Sequence, residues 1–106
     1  ADHVVEHAVR LAARTRPGRE GAPDFVSQYL SYGAGPRASQ YLVLGAKTLA
    51  LLDGRATPLA EDVDRIAIPV LRHRIVTNFN AEAEGVSGVD VIERLVALDA
   101  PQRRAG

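Results

Sequence analysis

Four groups of residues in this sequence have the side-chain types that chemistry needs, and each makes a different demand on its surroundings. His3-Val4-Val5-Glu6-His7 has the H-x-x-E-H spacing that a class of zinc peptidases uses on a helix, with two imidazoles one turn apart. A working zinc site also needs a third ligand from another element and a cleft for substrate. Five residues at a chain terminus supply neither, so His3 and His7 are expected as solvated side chains on a polar face, with no metal site. Glu82 and Glu84, in Asn80-Ala81-Glu82-Ala83-Glu84-Gly85, would face one way only in an extended chain, and no nucleophile accompanies them. A solvated or salt-bridged loop is expected there. Arg72-His73-Arg74 could grip an anion or an acidic partner, but basic residues that end a helix also satisfy its last carbonyls, and that structural role is favoured.

Arg37 differs from all of these. It follows Gly35-Pro36 and opens a long apolar helix, where backbone N–H groups lacking helical partners and the helix dipole already favour an anion. Gln40 and Lys47 fall within about 80° of it on a wheel of ~100° per residue, so a polar lane that faces water or a ligand interrupts the apolar surface. The sequence has no G-x-x-x-x-G-K-[ST] loop and no acidic strand end to hold magnesium, so the chain alone cannot bind and cleave a nucleoside triphosphate. Arg37 would have to reach a phosphate held by another domain. The rival reading is an arginine that caps or salt-bridges its own bundle, and side-chain physics leaves both open.

The elements that must position these residues read as helices. Val4, Val5, Ala8, Leu11 and Ala12 repeat at helical spacing from Asp2 to about Thr15, with acids near the positive end and arginines near the negative end. Residues 16–23 are rich in Gly and Pro and read as a flexible loop. The doublets Phe25-Val26 and Tyr29-Leu30 predict a short helix, closed by Gly33 in the left-handed conformation. Pro36 suits the first turn of a helix that runs from Arg37 to Asp53, is apolar nearly all round and includes Leu49, as expected of a helix central to a bundle; Gly54 stops it. Thr57 with Pro58 reads as the cap of a fourth helix, striped by Leu59, Val63, Ile66, Ala67 and Val70. Pro69 should kink or end it near Ile68, leaving residues 70–76 as a turn or a short extended piece. Ser87 and Asp90 form a capping box, with Val86 and Val91 as its staple. Val91, Ile92, Leu95 and Leu98 are the buried face of that last helix, and the tail after Pro101, residues 102–106, should fray.

Length and composition bound the rest. A chain of 106 residues fits one helical domain and buries about two-thirds of its unfolded surface on folding. Its 46% hydrophobic and 25% charged residues are ordinary for a folded domain. Thirteen basic residues balance thirteen acidic ones, so no overall field draws nucleic acid or an anionic membrane. Cysteine is absent, which excludes disulfides and thiolate sites and suits the cytoplasm. No apolar run approaches the ~20 residues of a membrane helix. Lacking an initiator methionine, the chain reads as an excised piece or a processed product. The fold class expected is all-α, a small bundle of about four to five helices.

Gly33-Ala34-Gly35-Pro36-Arg37-Ala38-Ser39 resembles the sensor-2 segment of MoxR-type AAA+ ATPases, commonly G-A-S-P-R-A, with Gly35 where serine is frequent. Leu51-Leu52-Asp53-Gly54-Arg55, Thr57-Pro58 through Glu61-Asp62-Val63, Pro69-Val70-Leu71-Arg72-His73-Arg74 and Ala81-Glu82-Ala83-Glu84-Gly85 resemble further segments of that family's C-terminal lid, in the same order. The likeness covers about residues 24–98. It implies a parent protein that binds ATP and Mg2+ in a core domain of the same polypeptide, assembles with neighbouring subunits into rings, expected as hexamers, and remodels or matures partners, among them von Willebrand A domain proteins. It implies that Arg37 is sensor 2, the catalytic and cofactor-binding position of this domain, reaching the γ-phosphate of its own or a neighbour's ATP. The alternative is a stand-alone helical module that binds protein or DNA. Leu59, Val63 and Ile66 leave few side chains to read bases in a helix-turn-helix around Gly54, and neutral charge gives little phosphate affinity, so no nucleic-acid partner is expected.

Overall fold

The computed structural model describes the backbone of residues 2–105 and the side chains of residues 2–98. Its elements, in order, are α1 (Asp2–Arg14), α2 (Asp24–Tyr29), β1 (Leu30–Tyr32), α3 (Ala38–Leu52), α4 (Ala60–Leu71), β2 (Val76–Thr77), α5 (Phe79–Glu84) and α6 (Gly88–Ala105). The architecture is helical, as expected, with six helices among the described residues and a minimal sheet that periodicity did not predict.

The expected stripe of α1 is buried as Val4, Ala8, Leu11 and Ala12, and it lies across α3 and α4. Those two helices form an antiparallel pair. Arg55 meets Asp62 at one end, Gly45 abuts Ile66 in the middle, and Tyr41 meets Arg74 at the other. Leu42, Ala46, Val63, Ala67 and Leu71 fill the seam and join Val26, Ala81, Val91, Ile92 and Leu95 in one core. The far end of α3 closes on a Schellman turn. The Arg55 N–H donates to the Ala50 carbonyl at 2.8 Å and the Gly54 N–H to Leu51 at 3.0 Å, with Gly54 at φ 77° where other residues are strained.

Several local expectations change. Helix α2 ends at Tyr29 because Leu30 turns extended and enters β1, which pairs antiparallel with β2 through Leu30 with Thr77 and Tyr32 with Val76. Gly33 is not left-handed; its lack of a Cβ is needed because that atom would strike the backbone of Thr15 and Arg16. Thr57 does not cap α4. The helix begins at Ala60, and Asp62 accepts from the Leu59 N–H at 2.8 Å while its own N–H donates to the Leu59 carbonyl at 3.0 Å. Pro69 neither ends α4 nor shortens it before Leu71. It sits on the exposed side and removes a single bond, that to the carbonyl of the equally exposed Arg65, which can turn to solvent.

The stretch from Asn80 to Gly85, expected as a loop, lies largely in α5 because Asn78 accepts from the Ala81 N–H at 3.0 Å and caps it, so Glu82 and Glu84 are helical. The Ser87–Asp90 capping box is present in both directions, at 2.8 and 3.1 Å. Helical backbone continues through Pro101 to Ala105, and Gly106 lies outside the described residues. Residues 16–23 run as successive turns, with Gly18 N–H donating to Ser27 Oγ at 3.1 Å. Leu98 is 48% exposed and not part of the core face. Helix α3 is central by contact, yet Tyr41, Leu44, Leu51 and Leu52 are exposed and Leu49 only half-buried. Its outer apolar face is not covered by this domain.

Candidate functional site

The segment that leads into α3 is fastened before it reaches Arg37. Thr15 Oγ1 accepts from the Ala34 N–H at 2.8 Å and donates to the Ala12 carbonyl at 2.6 Å, and Arg16 Nε donates to the Ala34 carbonyl at 2.8 Å. Gly33 allows this approach, since α1 ends directly against its backbone. Ala34 and Ala38 are both 1% exposed and act as two anchors, so the residues between them bulge outward. A turn from the Gly35 carbonyl to the Ala38 N–H, 3.1 Å, starts the helix over Pro36. Arg37 stands at the N-cap in αR geometry, exposed. Among the described residues its guanidinium has no hydrogen-bond, ion-pair or ring partner. It lines an open groove of about 500 Å³ bounded by Gly35, Pro36, Arg37, Ala38, Tyr41 and Arg74.

The structure therefore sides with an outward-facing Arg37 over one that salt-bridges its own bundle. The polar lane is divided. Gln40 and Lys47 are exposed like Arg37, but they line a different groove, of about 380 Å³, with Val5, Ser39, Val43 and Leu44.

The other sequence candidates separate. His3 and Glu6 are exposed, whereas His7 is 2% exposed and its Nε2 donates to Asp64 Oδ1 at 2.8 Å, tying α1 to α4. The expectation of two solvated histidines fails for His7, because a carboxylate 57 residues away gives the ring a buried partner. No group of three or more His, Cys, Asp or Glu among the described residues is arranged to hold a metal ion. Glu84 accepts from the Tyr29 hydroxyl at 3.1 Å and pins α5 to α2; burial, and then this bond, raise the Tyr29 pKa above its ordinary value. Arg74 Nη1 donates to the Val70 carbonyl at 2.8 Å, the helix-ending role expected of this basic run, and its guanidinium also lies 4.4 Å from the Tyr41 ring centroid.

The sequence reading missed a charged network at the opposite end of α3. Arg55 reaches both oxygens of Asp62, at 2.7 and 2.8 Å, and also Asp53 at 2.9 Å; Arg65 joins Asp53 at 3.3 Å. The Arg55 guanidinium holds the Asp62 carboxyl below the usual carboxylate range against the opposing cost of burial, and the Leu59 N–H adds to the effect. Arg55 and then Arg65 lower Asp53 likewise, while Asp62 and then Asp53 hold the Arg55 proton more tightly. The only local signal was an acid three residues after Leu59, in the position of a cap's second half.

A family model described as the AAA lid domain matches residues 24–95. The chain belongs to the AAA lid domain family. Its relatives place that lid among MoxR proteins. The chain is 34% identical over 93 residues to "Chaperone MoxR1" of Mycobacterium tuberculosis, covering 88% of this chain and 25% of that protein. It is 37% identical over 68 residues to "Protein MoxR" of Paracoccus denitrificans, covering 64% of this chain and 20% of that protein. A crystal structure described as that of an ATPase from Cytophaga hutchinsonii superposes with a TM-score of 0.82 at 34% identity, over 92% of this chain and 29% of the other. The lid thus spans about a quarter of the length of the proteins it resembles. No helix among its described residues is long and apolar enough to cross a membrane.

Proposed function

We propose that this lid serves a larger MoxR-type ATPase, cytoplasmic and ring-forming, and that Arg37 is its sensor 2, reaching the terminal phosphate of Mg-ATP held by a core domain of the same polypeptide. The observation that carries the reading is the exposed Arg37 guanidinium, without a partner among the described residues, at the head of a helix in a groove whose lining includes no carboxylate. A guanidinium in that setting has its planar fork available for two phosphate oxygens. It interacts most strongly as charge redistributes during phosphoryl transfer. The lid by itself supplies one arginine and no phosphate cradle, so hydrolysis, ring assembly as hexamers and remodelling of partners such as von Willebrand A domain proteins belong to the whole polypeptide. The fixed connection from α1 through Ala34 to Arg37 supports a lid that moves as one body and carries the arginine with it.

The test is Arg37→Ala and Arg37→Lys in the full-length ATPase, read as ATP turnover, beside the melting temperature of this lid carrying the same changes. Turnover should fall strongly for Ala, toward the ~10³-fold that comparable arginines supply, and measurably for Lys, which is a point charge without the fork. The lid's stability should change by no more than about 0.5 kcal/mol, as for other exposed positions. Normal turnover in Arg37→Ala would overturn the proposal.

A further inference from the structure

We propose that Arg74 is a second phosphate-binding residue of this groove, so that Arg37 and Arg74 take the terminal phosphate of ATP together; this rests on the reading of Arg37 given above. Arg74 lies just beyond the end of α4, beside the start of α3, and both arginines line the same space of about 500 Å³. Its head is already held in place. Nη1 donates to the Val70 carbonyl at 2.8 Å, and the Tyr41 ring lies against the guanidinium at 4.4 Å. One carbonyl and one ring fix the plane but occupy a single N–H of the five that a guanidinium carries, so Nε and Nη2 stay available for an oxyanion. A side chain fixed before its ligand arrives loses less freedom on binding.

The charge balance points the same way. Where this chain brings Arg55 and Arg65 together, it places Asp53 and Asp62 between them. The groove shared by Arg37 and Arg74 is lined by Gly35, Pro36, Ala38 and Tyr41, and no acid among the lining residues neutralises the pair. An anion between the two guanidiniums removes their mutual repulsion and gains from both. A terminal phosphate brings the charge and the several acceptor oxygens that two planar forks require. On this arrangement Arg74 is a binding residue, and Tyr41 is a positioning residue that acts through it.

The experiment uses the full-length ATPase and compares Kd values for ATP, for a non-hydrolysable ATP analogue and for ADP in Arg37→Ala, Arg74→Ala, Arg74→Gln, the Arg37→Ala/Arg74→Ala double variant, Tyr41→Phe and Tyr41→Ala. Arg74→Gln keeps a neutral donor for Val70 and guards against a variant that fails to fold. Both Arg74 changes should weaken ATP and the analogue by about tenfold or more, as expected for loss of a hydrogen bond to a charged group, and leave ADP nearly unchanged. The double variant should lose less than the product of the single losses, since both arginines act on one phosphate. Tyr41→Phe should bind ATP normally, and Tyr41→Ala should show part of the Arg74 defect.

If Arg37→Ala weakens ATP binding while the Arg74 variants keep the normal ratio of ATP to ADP affinity, the pair is overturned and sensor 2 stands. If neither position changes that ratio, the pair is overturned, and the turnover of Arg37→Ala alone decides sensor 2. Equal weakening of ATP and ADP by Arg74→Gln would mark a structural defect and overturn the pair. Impaired subunit assembly with unchanged nucleotide affinity would do the same, by assigning the groove to a neighbour's carboxylate.

Discussion

The two ends of α3 carry arginines in opposite electrostatic settings. At the C-terminal end Arg55 reaches both oxygens of Asp62 and one of Asp53, Arg65 closes the group, and both carboxyls are held below their ordinary range. At the N-terminal end Arg37 meets no counter-charge among the described residues, and Arg74 beside it is held by a ring and a carbonyl. One end is electrostatically complete within the lid. The other carries two arginines and no acid in the lining of their groove. The difference teaches where to look for work in a domain of zero net charge: total charge is uninformative, whereas the local match between each arginine and its neighbours separates those neutralised within the fold from those that are candidates for binding an anion.

The largest effect is expected from the stretch of α3 that the two ends share. Leu42 is fully buried in the seam with α1 and α4, and Leu42→Ala should destabilise the lid by about 2–5 kcal/mol in denaturant titration. A negligible loss would mean that α3 does not act as the common support of both ends. A smaller loss, still outside the scatter of surface substitutions, is expected from Asp62→Asn, which removes the buried charge partner of Arg55, leaves it Asp53 alone, and weakens the acceptor for Leu59 at the start of α4.

That variant also has a pH signature. A carboxyl whose pKa falls on folding adds stability that is fully present above its unfolded value, near 3.8 for Asp62 and Asp53, and is lost as pH falls through the lower folded value. The melting temperature of the lid should therefore drop on acidification below about pH 4, and Asp62→Asn should flatten that limb. An acid limb identical in both proteins would remove the network from any role in stability.

The smallest effect sharpens the comparison by closing the open end. Gln40→Glu places a carboxylate in the first turn of α3, where the helix dipole should reward it with about 0.3–1 kcal/mol. The same charge competes for Arg37, so the full-length ATPase should lose turnover as the lid gains stability. A rise in both would contradict the view that the open end is kept free of acids for a ligand.

What the sequence made legible was local. Val4, Ala8, Leu11 and Ala12 announce α1 because burial follows helical spacing, and Ser87 with Asp90 announces the start of α6 because two reciprocal hydrogen bonds lie within four residues. The sequence marked Arg37 by its place after Gly35-Pro36 but left open whether it faces outward or salt-bridges its own bundle, because that depends on which acids the fold brings near it. The β1–β2 pair was not foreseeable, since its strands are three and two residues long and depend on partners more than forty positions apart. His7 was misread for the same reason, because Asp64 is invisible to any pattern within α1. Helix α3 shows a different limit. Periodicity reports that Leu44, Leu51 and Leu52 are apolar, and it says nothing of whether the same domain covers them.

The contact at Gly33 has a consequence for how this sequence can drift. A Cβ there would strike the Thr15 carbonyl and the Arg16 Cα, all of it main chain, so no change of a neighbouring side chain could relieve the collision. Most tight packing can be renegotiated by a compensating substitution, with one residue shrinking as another grows. Position 33 has no such second site. Its alphabet is reduced to one letter for as long as α1 ends where it does, and the route by which α1 sets the height of Arg37 is correspondingly closed to gradual adjustment.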